Sequence, residues 1–145
     1  MLEREIVTLI NSQITKEFYS AYLYLDFSNY YEIHGLAGFA SWFKIQAKEE
    51  LDHGLIFSKY LHDNEESIKL DKIESPDTEI KELMDPLIAS LKHEQYVTES
   101  INKIYARALE LKDFRTTDFI FWFIKEQDED VKSAQMLILD MIICV

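Results

Sequence analysis

Glycine and proline are scarce in this chain, with three Gly and two Pro among 145 residues. Sheets and loop-rich folds need such turn residues at regular intervals, so the composition predicts a nearly all-helical protein with few connections. Cysteine is scarcer still, since Cys144 is the only one. A single Cys excludes an internal disulfide and a paired-cysteine metal site. The sequence also begins with charged residues instead of an apolar leader. Together, the single Cys and the charged start predict a cytoplasmic protein.

Long apolar runs and positive charge are also in short supply. No stretch approaches the roughly 18 uncharged apolar residues of a membrane-spanning helix, so we expect no membrane partner. There are 27 Asp and Glu against 15 Lys and Arg, a formal net charge of −12. This balance disfavours nucleic acid as a partner and favours cations. The hydrophobic share of 48% is enough for a sizeable core, and the length predicts a single domain over residues 1–145.

Apolar residues recur at spacings of three and four in four stretches, which predicts four long helices. Their expected spans are residues 3–31, 36–62, 86–111 and 114 to the C-terminus, with Gly35 ending the first helix. We expect Asp85 and Asp113 to be the N-caps of the third and fourth helices. Two short connections predict helical hairpins. The polar segment 64–84 is long enough to run the length of a bundle, which predicts an all-α four-helix bundle with one long crossover between helices two and three.

Heptad spacing places one carboxylate near the middle of the apolar stripe of every helix: Glu17, Glu50, Glu94 and Asp130. Two of these have a partner at i+3 on the same face, His53 after Glu50 and Gln127 before Asp130. A buried carboxylate takes up a proton or finds a counter-charge, and no Lys or Arg lies on these stripes. Two metal ions would supply that charge. Oxygen ligands with one imidazole suit iron or manganese, and zinc also binds such sites.

Each of these residues has a plainer interpretation when it is taken alone. When a single Glu falls on a predicted apolar stripe, usually the helix face has been assigned out of register or the side chain lies at the edge of the core. An isolated Glu-x-x-His pair is common by chance. One carboxylate on each of four helices at similar depth is hard to obtain by accident, so the set together favours a metal centre.

At these residues the chain resembles the prokaryotic non-haem ferritins, over nearly its whole length. The resemblance is carried by Glu17 with Tyr19 and Tyr24, and by residues 47–53, 92–95 and 122–130. It implies a ferritin-like bundle and a dinuclear iron centre. Glu17, Glu50 and His53 would hold the first iron, and Glu50, Glu94 and Asp130 the second, with Gln127 beside the pair.

The resemblance implies further features. Glu49, Glu126 and Glu129 would form a third iron site that shares Asp130, although on their own these residues look like a solvated acidic edge. Tyr24 would lie beside the dinuclear centre, with Trp122 nearby. Without the resemblance, a tyrosine at position 24 is more often an ordinary aromatic residue of the core. Related haem-containing and rubrerythrin-like proteins repeat Glu-x-x-His in the fourth helix, where this chain reads Gln127-x-x-Asp130. The methionine that ligates haem in the haem-containing relatives would fall near Asp52 in this chain, so we expect no haem.

Two departures from the family pattern qualify these expectations. Asp130 stands where these ferritins carry Glu, one methylene longer, which would weaken the second or the third iron site. Relatives continue past the position of Val145 with a short fifth helix, which this sequence does not include. The missing helix puts in doubt whether a 24-subunit shell built from dimers closes. The apolar run 119–124 favours a subunit interface and hence a homo-oligomer.

Four functions stay open on the sequence. The first is an iron-storage ferroxidase that oxidises Fe(II) with dioxygen and stores ferric oxyhydroxide, with Glu17, Glu50, His53, Glu94 and Tyr24 as its catalytic residues. The second is a protein that binds two metals but oxidises slowly because of Asp130. The third is another di-iron enzyme, and the fourth is a purely structural bundle. The ferritin resemblance favours the first.

Overall fold

The structure is a computed structural model, and it describes residues 2–144. It contains four α-helices: α1 (Arg4–Ile33), α2 (Ala37–Asp63), α3 (Asp85–Glu110) and α4 (Phe114–Cys144). Within residues 2–144 there is no strand. The chain divides into two compact units, Met1–Asp77 and Thr78–Val145, each built on one helix pair. All four predicted helices are confirmed, with ends that agree to within two residues.

The first unit contains α1 and α2, which pack along each other. Each helix buries one stripe: Ile10, Glu17 and Tyr24 on α1, and Phe43 and Glu50 on α2, are all at most 1% exposed. Leu25, another apolar residue of α1, lies off this stripe and is 41% exposed. A period of 3.6 residues carries position 25 away from the face that positions 17 and 24 share.

The first three helices end in the same way, with a residue in the left-handed conformation after the C-cap. These residues are Gly35 (φ 73°), Glu65 (φ 58°) and Lys112 (φ 58°). In each case two backbone N–H groups beyond the helix donate to its last carbonyls, as Leu36 N does to Tyr31 O at 3.0 Å. This pattern is the Schellman motif. Glycine marks only the first end, so the sequence pointed to the left-handed residue only there.

The second unit contains α3 and α4, which also pack along each other. Asp113 caps α4 as predicted, since its Oδ1 accepts the backbone N–H of Thr116 at 3.1 Å. The expectation that Asp85 is the N-cap of α3 is wrong, because Met84 occupies that position. The Asp85 carboxylate accepts the backbone N–H groups of Lys81 and Glu82 at 2.8 and 2.9 Å. These bonds, above all the one from Lys81, lower the pKa of Asp85.

The segment between α2 and α3 is the long crossover expected from its polar sequence. Between Glu66 and Lys81 it has no regular secondary structure. Its start is tied to the beginning of α1, where the Arg4 guanidinium pairs with the Glu66 carboxylate. Asn11 of α1 accepts the backbone N–H of Lys69 at 2.9 Å. No helix among residues 2–144 is both long enough and apolar enough to cross a membrane.

Candidate metal centre

Three predicted ligands come together in the first unit. One ligand atom from each of Glu17, Glu50 and His53 lies within 4.8 Å of the others. Glu17 and Glu50 are fully buried, and His53 is 4% exposed. Glu50 and His53 share a face of α2 because residues three apart in a helix are neighbours. Two carboxylates and an imidazole at this spacing are a suitable ligand set for one transition-metal ion.

The two carboxylate oxygens of Glu50 have different surroundings. Oε1 accepts a hydrogen bond from Nε2 of Gln46, one helical turn earlier, at 2.8 Å. Oε2 lies 3.6 Å from Nδ1 of His53, too long for a hydrogen bond. Within residues 2–144 this buried oxygen makes no hydrogen bond. A buried anionic oxygen without a hydrogen bond is costly, and a cation between Glu50 and His53 would relieve that cost.

The charge state of Glu50 agrees with a cation site. Burial acts to raise the pKa of its carboxyl group, but the nearby His53 imidazole, aided by Glu17 and Gln46, lowers it more. The net effect is a pKa below the ordinary value of 4.5. A lowered pKa favours the ionised carboxylate, which is the form in which glutamate binds a metal ion.

An aromatic cluster lies on the same buried faces of α1 and α2. Tyr24 lies two helical turns after Glu17 and is 1% exposed. Its ring centroid is 5.6 Å from that of Phe43 and 6.1 Å from that of Phe27. Phe27 and Phe43 themselves pack edge to face at 5.5 Å. All three rings are buried, so they form an apolar cluster between α1 and α2.

The second unit contributes its own buried polar residues. Glu94 on α3, and Gln127 and Asp130 on α4, are 3%, 2% and 8% exposed. Nε2 of Gln127 donates to the backbone oxygen of Glu94 at 3.3 Å and to Oγ1 of Thr98 at 3.2 Å. Thr98 in turn donates to that same backbone oxygen at 2.8 Å. This network fixes the Gln127 amide against α3, and all three predicted residues occupy the buried faces of their helices.

The residues predicted for a third iron site lie at the surface. Glu49 and Glu129 are exposed, and Glu126 is half-buried. The metal-binding groups found among residues 2–144 include none of the three. Trp122 is 45% exposed. The third site stays a prediction.

Gln46 is not among the residues predicted for the site from the sequence. The structure shows that it is the hydrogen-bond donor to Glu50. A signal for this contact was present in the sequence. A buried glutamine four residues before a buried glutamate lies on the same face of the helix and within hydrogen-bonding reach.

An all-helical chain that buries two glutamates and a Glu-x-x-His histidine on its helix faces is typical of the carboxylate-bridged metal proteins. The ferritin family model, described as a ferritin-like domain, matches residues 7–141. The chain belongs to the ferritin family. The resemblance and the all-α, ferritin-like fold class predicted from the sequence are thereby confirmed.

Individual relatives agree with this assignment. A bacterial non-heme ferritin from Campylobacter jejuni is 35% identical over 130 residues, which are 90% of this chain and 78% of that protein. One from Bacteroides fragilis is 32% identical over 95% of this chain and 87% of its own. Among solved structures, an open pore ferritin from Archaeoglobus fulgidus has a TM-score of 0.94 at 32% identity. That match covers 98% of this chain and 87% of the other.

Proposed function

We propose that this protein is an iron-storage ferritin with ferroxidase activity. It would oxidise Fe(II) with dioxygen at a dinuclear centre and store ferric oxyhydroxide in a shell. The observation that carries the proposal is the buried set Glu17, Glu50 and His53, with ligand atoms within 4.8 Å of one another, in a chain of the ferritin family. Relatives over most of this chain are named non-heme ferritins, which supports iron as the metal.

In this proposal Fe(II) is the substrate. Glu17, Glu50 and His53 bind the first ion, and Glu50 is shared with a second ion bound through Glu94 and Asp130, with Gln127 beside the pair. Dioxygen accepts one electron from each Fe(II), takes up two protons from water and leaves as hydrogen peroxide. The two Fe(III) ions hydrolyse to oxyhydroxide and release protons to water. Tyr24 supplies a phenol beside the centre, and Glu49, Glu126 and Glu129 form a third iron site that shares Asp130.

The proposed assembly is a homo-oligomeric shell, of 24 subunits built from dimers. Large apolar side chains at the surface of α4 support association between chains: Phe121 is 47% exposed and Trp122 45%. The name of the solved structure from Archaeoglobus fulgidus, an open pore ferritin, is consistent with a shell. We propose a cytoplasmic location, a single domain and no haem for this chain. Sedimentation of the purified protein with and without iron measures the assembly directly.

The decisive experiment mixes two Fe(II) per chain with oxygenated buffer in a stopped-flow instrument. Absorbance and oxygen uptake are followed together. Wild type is expected to oxidise iron rapidly with about one dioxygen consumed per two irons. Glu50→Ala should lose the fast phase because both ions lose a ligand, while the helix content stays unchanged. Asp52→Ala is the matched control, because Asp52 is an exposed carboxylate on the same helix. A normal rate in Glu50→Ala would refute the site assignment.

One residue favours a second function, a two-metal binding protein with slow oxidation. Asp130 is buried on α4 where the resembling ferritins carry the longer Glu. If Asp130 fails to hold the second ion, wild type binds Fe(II) but oxidises it slowly, and Asp130→Glu speeds oxidation markedly. Equal rates in the two proteins would remove the reason for this alternative.

A further inference from the structure

We infer that Gln46 is a positioning residue for Glu50, holding its carboxylate in the one orientation in which it receives a metal ion. The inference rests on the proposed function, because it assigns a role toward the metal site to a residue that is not itself a ligand. It concerns α1 and α2 alone, since Gln46, Glu50, His53 and Glu17 all belong to the first unit.

The geometry places Glu50 between two partners on one helix. Gln46 lies one turn before it and donates to Oε1 at 2.8 Å. His53 lies one turn after it, with Nδ1 3.6 Å from Oε2. Gln46 is 7% exposed and Glu50 is fully buried. The hydrogen bond to an ionised acceptor is therefore shielded from water, and bonds of this kind are among the stronger ones in proteins.

The hydrogen bond leaves the carboxylate free to bind metal. An ionised carboxylate offers about four lone-pair sites on its two oxygens. Gln46 occupies one of them on Oε1. Oε2 has no hydrogen bond within residues 2–144 and lies on the His53 side. The amide thus directs one oxygen toward His53 without competing for it, and both oxygens can still bind ions.

Orientation matters because the glutamate side chain has three rotatable bonds. A free carboxylate would lose this freedom on binding metal, whereas one already held by Gln46 loses little. Residues that orient a metal ligand through a hydrogen bond typically contribute about 10–100-fold to metal affinity or activity. A donor on the same helix is well suited to this task, since the i, i+4 spacing is fixed by the helix itself.

The test titrates protein with Co(II) in the absence of dioxygen, by calorimetry and by the visible absorption of the bound ion. Gln46→Met removes the donor and keeps a straight side chain with good helix propensity. It should weaken Co(II) binding about 10–100-fold and change the intensity of the Co(II) bands. Gln46→Leu is a second donor-free variant of different shape. A loss common to both variants reports the missing donor, whereas a packing effect would differ between them.

Ser28→Ala is the matched structural control. It removes a buried hydrogen bond between the same two helices, from Ser28 Oγ to the backbone oxygen of Ala40 at 2.7 Å. This variant should lose thermal stability but bind Co(II) like wild type. If both Gln46 variants fold and bind like wild type while Glu50→Ala does not bind, the role of Gln46 is refuted and the site survives. If Glu50→Ala binds like wild type, the site itself is refuted, and the inference with it.

Discussion

The ring of Phe18 on α1 occupies the space in which a side chain at position 54 of α2 would begin. A Cβ atom added to Gly54 would lie 2.7 Å from Cδ1 of Phe18 and closer still to Cε1. Gly54 therefore lets the two helices approach closely, and Phe18 and Gly54 each follow directly after a proposed ligand, Glu17 and His53. We expect Gly54→Ala to lower the free energy of unfolding by about 1–3 kcal/mol, because the ring must move. Urea denaturation of the metal-free protein measures this.

A second substitution tests the cause of that loss. Phe18→Leu removes the ring atoms that the new methyl group would meet. In the double variant the cost of Gly54→Ala should be much smaller than in wild type, which a double-mutant cycle reports as a coupling energy. An unchanged cost in the Phe18→Leu background would show that the ring is not what restricts position 54.

Two other glycines are a matched pair with opposite expectations. A Cβ added at Gly35 or at Gly38 would meet no atom within 4 Å. Gly35 has φ 73°, so Gly35→Ala should destabilise by about 1–2 kcal/mol through backbone strain alone. Gly38 lies inside α2, so Gly38→Ala should stabilise by about 0.5–1 kcal/mol. Thermal unfolding of the two variants and of wild type measures both changes in stability. A change of the same sign in both variants would contradict the backbone argument.

The ion pair between Arg4 and Glu66 makes stability depend on pH. The hydrogen bond from Arg4 lowers the pKa of Glu66 below its ordinary 4.5 in the folded protein. Stability from this group is therefore present above pH 4.5 and is lost as the pH falls through the folded pKa. The difference in unfolding free energy between wild type and Arg4→Gln should be largest at neutral pH and should shrink toward pH 3.

The control for this prediction is Arg107→Gln. Arg107 pairs with Glu110 at 3.1 Å, three residues apart on the surface of α3. Such a pair contributes little, so the change should stay below about 0.5 kcal/mol. A pH-independent difference for Arg4→Gln would mean that the charge of Glu66 is not what Arg4 stabilises.

Metal binding should itself stabilise the fold. The buried carboxylates Glu17 and Glu50 are costly without a counter-charge, and a ligand that binds only the folded state adds stability by mass action. At a free concentration about 100 times the Kd, a divalent ion should add about 2.7 kcal/mol. Calorimetric unfolding with and without Co(II), without dioxygen, measures the gain. Glu50→Ala should show little of it. An equal gain in that variant would place the ion elsewhere.

Most of the helical structure and the buried stripe could be predicted from the sequence, because both depend on spacing along one chain. The positions of Ile10, Glu17 and Tyr24 follow from the helical period, and all three are buried. The capping of α4 by Asp113 was predictable for the same reason, since a cap bonds to residues close in sequence. Asp85 fits the same sequence pattern, but its carboxylate accepts the backbone N–H of Lys81, which precedes the helix, and caps nothing in α3.

The sequence by itself determined the helix spans, the buried stripes and the identity of the carboxylates on them, because these are local and periodic properties. Only the tertiary structure decided which glycine admits a neighbouring helix, since Gly38 and Gly54 look alike until Phe18 is placed against one of them. It also decided that Glu65 and Lys112 take the left-handed conformation. Those choices depend on where a helix must end against its partner, and no local preference of the residue itself encodes that.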